Sequence, residues 1–262
     1  MPSSALQVAR TGLEAQDARM RVIANNLANV STTAFKRDRA NFATLAYQDA
    51  RVAGAQSSTE TAYATGLNLG TGVAVQSTTR METQGALQNT GNSLDLALDG
   101  DGYFQVSLPG GQLGYTRAGN FTRSAEGQLV TTQGYVVQPP VAIPEGATAI
   151  SISKDGTVSA QLPGQADAAQ LGQITVASFT NPAALQASAD NFMLETAASG
   201  PAQIGIAGQE GRGHIQQGML EGSNVNIVEE LVDMIETQRA YEINSKMISA
   251  VDEMLRNANQ TL

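Results

Sequence analysis

The 262-residue chain contains no cysteine and no tryptophan, a single histidine, and only 5% aromatic residues. Without cysteine there is no disulfide framework, no zinc–thiolate site and no thiol nucleophile. Cations are scarce as well: 15 Lys and Arg stand against 24 Asp and Glu, a formal net charge of −9. That balance excludes the basic footprint of a nucleic-acid binder and the basic amphipathic helix of a membrane-surface protein. Long apolar runs are missing, and none approaches the ~20 residues of a transmembrane helix. The first residues, MPSSALQVARTGLEAQDARMRVIANNLANV, have neither a basic n-region nor a continuous apolar h-region, so no cleaved secretory signal is expected.

What is present is 42% hydrophobic residues, enough for a real core, together with 26 glycines. Gly with abundant Ala, Ser, Thr and Gln predicts turn-rich β structure or extended segments. The two ends resemble each other and the middle differs. Near the N-terminus Leu6, Leu13, Met20 and Leu27 recur at seven-residue spacing, with a second, partly kept position at Ala9, Gln16, Ile23 and Val30. Ser4 followed by Gln7 reads as a capping box, and the helix is predicted over Ala5–Asn29, about 37 Å long. The C-terminal ladder is Ile227, Met234, Tyr241, Ile248 and Leu255, widened by Leu231, with Asn226 and Glu229 as its capping signature.

Such spacing predicts two helices packed along each other at coiled-coil angles. Residues 1–40 carry six basic and three acidic residues, and residues 221–262 carry three basic and eight acidic. Opposite signs favour pairing of the arms, and a middle domain that joins both at one end makes the pair antiparallel.

The middle predicts strands. Phe104, Val106 and Leu108 alternate with Gln105 and Ser107, the period of a half-buried strand. Pro109-Gly110-Gly111 follows as a turn, Asp155-Gly156 joins Ile150–Ile152 to Val158 as a hairpin, and Ile174, Val176 and Phe179 mark a late strand. The expected fold is therefore α+β: paired N- and C-terminal coiled-coil-like helices with a central all-β domain. The expected divisions are an N-terminal helix in 1–35, an extended linking segment in 36–72, a β-rich domain in 73–220 and the C-terminal helix in 221–262.

A catalytic or metal constellation is not evident. His214, beside Arg212 in GQEGRGHIQQG, has no G-x-S-x-G elbow to accompany it. Asp95, Asp99 and Asp101 lack the further oxygen ligands and terminal Glu of a calcium loop, and a tight turn explains Asp-Gly-Asp-Gly. No cofactor or metal is expected. Asn25, Asn26 and Asn29 stand near the end of the first helix, either as amides bonding backbone across an interface or as a polar, fraying helix end.

The stretch IANNLANVSTTAFKR (residues 23–37) resembles the N-terminal signature of the flagellar rod and hook protein family, carried here by Asn25, Asn26, Asn29, Phe35 and Lys36. Family members often have Gly where this chain has Ala34, at the bend after the helix. Residues 220–255 resemble the family's C-terminal signature, at Asn224, Asn226, Glu230, Gln238, Arg239 and Tyr241, and residues 100–106 and 115–139 are similar to its central β domain. The resemblance implies a non-enzymatic subunit of a helical tube, its terminal helices forming the inner core. It also implies self-polymerisation, contact with proximal rod and hook axial proteins and with surrounding envelope rings, and delivery by the flagellar type III export apparatus. The site would be the periplasm-spanning rod of the basal body. Length excludes the small proximal rod proteins and the longer hook proteins; residues 47–58 favour the distal of the two rod subunits of this size. A proximal rod subunit, an adhesin or fibre protein with coiled-coil ends, and a β-rich hydrolase using His214 are the alternatives.

Overall fold

The computed structural model describes residues 2–56, 63–147, 149–163 and 168–260. Two helices and a strand-rich centre make the fold α+β. The chain divides into two compact units, one of residues 1–28, 38–79 and 226–262, the other of residues 29–37 and 80–225.

The first unit holds both helices. α1 spans Pro2–Ala28 and α2 spans Ile227–Gln260. α1 starts before the predicted Ala5. α2 is capped as expected at Asn226, whose Oδ1 accepts the Val228 amide at 3.1 Å. The unit also contains β1 (Asp38–Thr44), β2 (Tyr47–Arg51), β3 (Leu67–Gly70) and β4 (Val73–Arg80), with β1 beside β4 and β2 beside β3. Among the described residues, 36–72 thus holds paired strands where composition led us to expect an extended linking segment. Tyr47 faces Gly70 and Gln48 faces Leu69 in an antiparallel ladder, and the Arg51 guanidinium lies 3.9 Å over the Tyr63 ring. Exposed polar side chains and Gly conceal the pairing, because main-chain hydrogen bonds rather than buried faces hold these strands together. Residues 57 and 58 of the stretch that favours the distal subunit lie outside the described residues.

In the second unit the strands follow as β5 (Leu87–Asn89), β6 (Leu96–Asp99), β7 (Tyr103–Ser107), β8 (Leu113–Thr116), β9 (Thr122–Arg123), β10 (Leu129–Val130) and β11 (Val137–Gln138). Next come β12 (Ala149–Ile152), β13 (Thr157–Gln161), β14 (Ala169–Gln173), β15 (Thr175–Ser178), β16 (Gln186–Ala187), β17 (Met193–Leu194), β18 (Gln203–Ile206), β19 (His214–Gln217) and β20 (Met219–Glu221). The main sheet has seven strands: the path β16-β17-β8-β7-β15-β18, with β11 also on β7. β7 exists where alternation placed it, but it is central rather than half-buried. Residues 103–106 are all buried, Gln105 included, because β8, β15 and β11 surround the strand. The predicted hairpin is β12–β13, with Ile152 opposite Val158 and Asp155 bracing the turn through the Thr157 amide and hydroxyl at 3.2 and 2.9 Å.

Leu96, Leu98, Phe104, Val106, Phe121, Ile174, Val176 and Ile215 form the centre of the apolar core. Phe104 and Phe121 meet edge to face at 5.2 Å, a favoured geometry for aromatic quadrupoles. The units divide the chain near residues 80 and 225 rather than 73 and 220, since the segments around 81–86 and 222–225 bond to each other: the Gly222 amide donates to Ala86 O at 2.8 Å, and Asn224 Nδ2 donates to Met81 O and Thr83 O, both at 2.9 Å.

Candidate assembly interface

α1 and α2 run antiparallel. Asn26 Nδ2 donates to Glu230 Oε2 at 3.3 Å near one end, Arg19 pairs with Asp233 at 3.2 Å, and Gly12 lies against Asn244 further along. A Cβ built on Gly12 would stand 3.1 Å from Asn244 Nδ2. Arg10 and Arg21 pair along α1 itself, with Glu14 and Asp17.

The seam between the helices is small and polar. On α1 the buried residues are Ala9, Ala15, Ile23 and Asn26; on α2 they are Glu230 and Thr237. Asn26 Nδ2 also donates to Asp38 O at 2.9 Å and its Oδ1 accepts the Asp38 amide at 3.0 Å, so this amide bonds backbone within its own chain. Thr237 turns its hydroxyl onto Asp233 O at 2.6 Å, which satisfies it within its own helix. The α2 positions against α1 are therefore Glu230, Thr237 and Asn244, three residues after Ile227, Met234 and Tyr241. Gln238 is exposed.

The expected ladders flank this seam. Leu6, Leu13, Met20, Leu27 and Val30 are half-buried, and Ile23 is buried. Met234 and Ile248 are half-buried, whereas Ile227, Leu231 and Tyr241 are exposed; the Leu255 side chain lies outside the described residues. A second apolar stripe, Val228, Leu231, Val232 and Ile235, has the i, i+3, i+4, i+7 spacing of one helix face. It lies in solvent, with Val228 68% exposed and Val232 and Ile235 each 51%. Ile243, Met247 and Met254 extend the exposed apolar surface toward the end of α2. Asn25, Asn226 and Arg239 are exposed, Asn29 and Asn224 half-buried.

Phe35 and Lys36 are buried in the β unit. Lys36 Nζ donates to Glu221 Oε1 at 2.6 Å and to Thr83 O at 2.7 Å, and Arg117 Nε donates to Glu221 Oε2 at 2.8 Å. Burial opposes ionisation of Glu221, but Arg117, Lys36 and the Gly85 amide outweigh it and hold the carboxyl below its ordinary range. Lys36 is lowered by burial and by the Arg117 charge, against the pull of Glu221 and Glu82. Glu221, Arg117, Thr237 and Asn244 escaped sequence reading, because nothing in a linear pattern connects position 36 to 117 and 221. Ala34 takes φ 56°, the left-handed region that favours glycine, at the position where family members often have it.

Three family descriptions match along the chain: "Flagella basal body rod protein" over residues 6–36, "Flagellar hook protein FlgE/F/G D1 domain" over 97–160 and "Flagellar basal body rod FlgEFG protein C-terminal" over 216–261. The flagellar basal-body rod protein FlgG of Buchnera aphidicola (subsp. Acyrthosiphon pisum) is 48% identical over 255 residues, 97% of this chain and 98% of the relative. That of Caulobacter vibrioides is 46% identical over 98% of both chains, and the FlgF rod protein of the same organism is 34% identical over 92% of this chain and 90% of its own. A helix pair with solvent-facing apolar stripes and a strand-rich unit, matched by rod and hook family descriptions, mark an axial structural protein. The chain belongs to the flagellar basal-body rod protein family; it is a structural subunit of the flagellar rod and not an enzyme. Membership implies assembly into the flagellar axial structure with copies of itself and with neighbouring axial proteins. Among the described residues no helix is long and apolar enough to cross a membrane.

Proposed function

We propose that this chain is the distal-rod subunit, and that its helix pair packs coiled-coil-like against other subunits in a tubular polymer that carries motor torque to the hook. The observation that carries the reading is the distribution of polarity on α2. Glu230 and Thr237 are buried against α1, while Val228, Leu231, Val232 and Ile235 face water. A helix pair that leaves its apolar stripes in water gains most by burying them on neighbours, at about 25 cal/mol per Å² of apolar surface. Contacts between different patches of successive copies do not close and so generate a helical polymer. The ladder residues Leu6, Leu13, Met20, Leu27, Val30, Ile227, Leu231, Met234, Tyr241, Ile248 and Leu255 are the interface in this reading.

The distal position is supported by the higher identity to the FlgG relatives than to the FlgF relative. Contacts with the envelope rings, passage through the type III export apparatus without a cleaved signal, and a periplasm-spanning location follow from the same reading. Deletion of the gene and electron microscopy of purified basal bodies test it. A short proximal rod without a hook is expected; arrest before any rod forms favours the proximal subunit, and intact flagella overturn the axial reading.

A further inference from the structure

We propose that the buried Lys36–Glu221–Arg117 cluster is a completion lock, making folding of the β unit conditional on the arrival of its last segment. Glu221 is fully buried and collects three donors: Lys36 Nζ at 2.6 Å, Arg117 Nε at 2.8 Å and the Gly85 amide at 2.9 Å. Its partners lie 185, 104 and 136 positions away in the chain. The backbone around it closes the same junction. The Ala34 amide donates to Glu221 O at 2.8 Å, the Asn224 amide to Phe35 O at 3.3 Å, and Asn224 Oδ1 accepts the Arg37 amide at 2.7 Å. The Cβ position of Gly85 is 2.0 Å from Gly222 O, so the two segments meet where no side chain fits.

A buried triad of this kind adds little to stability when complete, because desolvation offsets much of the attraction. Removing one partner is severe, because it strands a charge in a medium that does not solvate it. Here the missing partner would be the carboxylate, leaving two cations, Lys36 and Arg117; burial first, and the Arg117 charge second, already lower Lys36. Arg117 is further committed to the carbonyls of Gly100 and Gly102, at 2.8 and 3.2 Å, so it cannot withdraw from the site without breaking the β6–β7 connection. A chain that ends before Glu221 contains nearly all the core strands, yet closing them traps both cations without the carboxylate that bonds them directly. A chain emerging N-terminus first, from a ribosome or an export channel, therefore keeps this unit open until residue 221 is free. The inference concerns the single chain and holds whether or not the chain polymerises.

The test is pulsed hydrogen–deuterium labelling of the full chain during refolding from denaturant. The amides of Gly85 and Ala34, which donate to Glu221, are expected to gain protection in the same kinetic phase as those of β7. Protection of β7 in a phase about tenfold or more faster than Gly85 and Ala34 overturns the proposal. As a second measurement, Glu221→Gln is expected to slow refolding at least about tenfold, with a smaller change in the unfolding rate. An unchanged refolding rate with accelerated unfolding overturns it equally.

Discussion

Asn26 and Glu230, 204 positions apart, meet in the interior of the first unit, where the amide also clamps both the N–H and the C=O of Asp38. One side chain thus joins α1, the start of β1 and the first turn of α2. Asn26→Ala removes all three bonds, two of them to the half-buried Asp38 backbone, at a cost of about 1–3 kcal/mol. Far-ultraviolet circular dichroism during urea titration should show the helices unfolding at lower urea, with the β unit's transition unmoved. Coincident shifts of both transitions would mean that Asn26 does not act locally.

The helices approach closely at Gly12. Gly12→Val places a branched side chain against Asn244 and is expected to destabilise the pair by about 1–3 kcal/mol. Gly12→Ala needs only a small movement of the Asn244 amide, and gains helix propensity of about 1 kcal/mol. It should therefore be neutral or stabilising. Equal destabilisation by both, measured by urea titration, would contradict the packing.

Seam and stripe should respond oppositely to charge. Ile23 is 4% exposed and Val232 is 51% exposed. Ile23→Asp buries an unpaired carboxylate and should unfold the helix pair in the monomer, a loss of about 3 kcal/mol or more. Val232→Asp should leave monomer stability within about 0.5 kcal/mol and abolish polymer formation, read by sedimentation and electron microscopy. Normal polymers from Val232→Asp would remove that stripe from the interface.

The buried carboxylate predicts acid sensitivity of the β unit. Glu221 has a folded-state pKa held below its unfolded value, so its contribution is fully present above the unfolded value and is lost as pH falls through the folded one. Lys36 and Arg117 are the charged groups that act on it, and Glu82 acts in turn on Lys36. Denaturant titrations of the wild type from neutral pH downward should therefore lose stability below about pH 4.5. Glu221→Gln should be less stable at neutral pH and show a shallower acid slope. An unaltered slope would assign the acid sensitivity to other carboxylates.

The terminal helices, the β7 strand and the β12–β13 hairpin were legible because period and turn chemistry are local. A seven-residue repeat or an Asp-Gly turn needs only neighbouring residues to declare itself. The β1–β4 region was not legible. Its strands expose most side chains and are held by backbone bonds, which any sequence without proline supplies. The polar part of the helix seam was not legible either: hydrophobic periodicity marks apolar positions, and Asn26, Glu230 and Thr237 are buried polar ones.

The sequence by itself determined that this is a cysteine-free, acidic, non-catalytic rod-family subunit with helices at both ends and strands between, since composition, period and signature motifs are properties of the linear chain. Only the tertiary structure decided that Asn26, Glu230, Thr237 and Asn244 line the intrachain seam beside Ala9 and Ile23, and that Lys36, Arg117 and Glu221 share one buried site. Those pairings join residues more than a hundred positions apart, and which distant groups meet is settled by the packing of whole elements, for which no local pattern stands proxy.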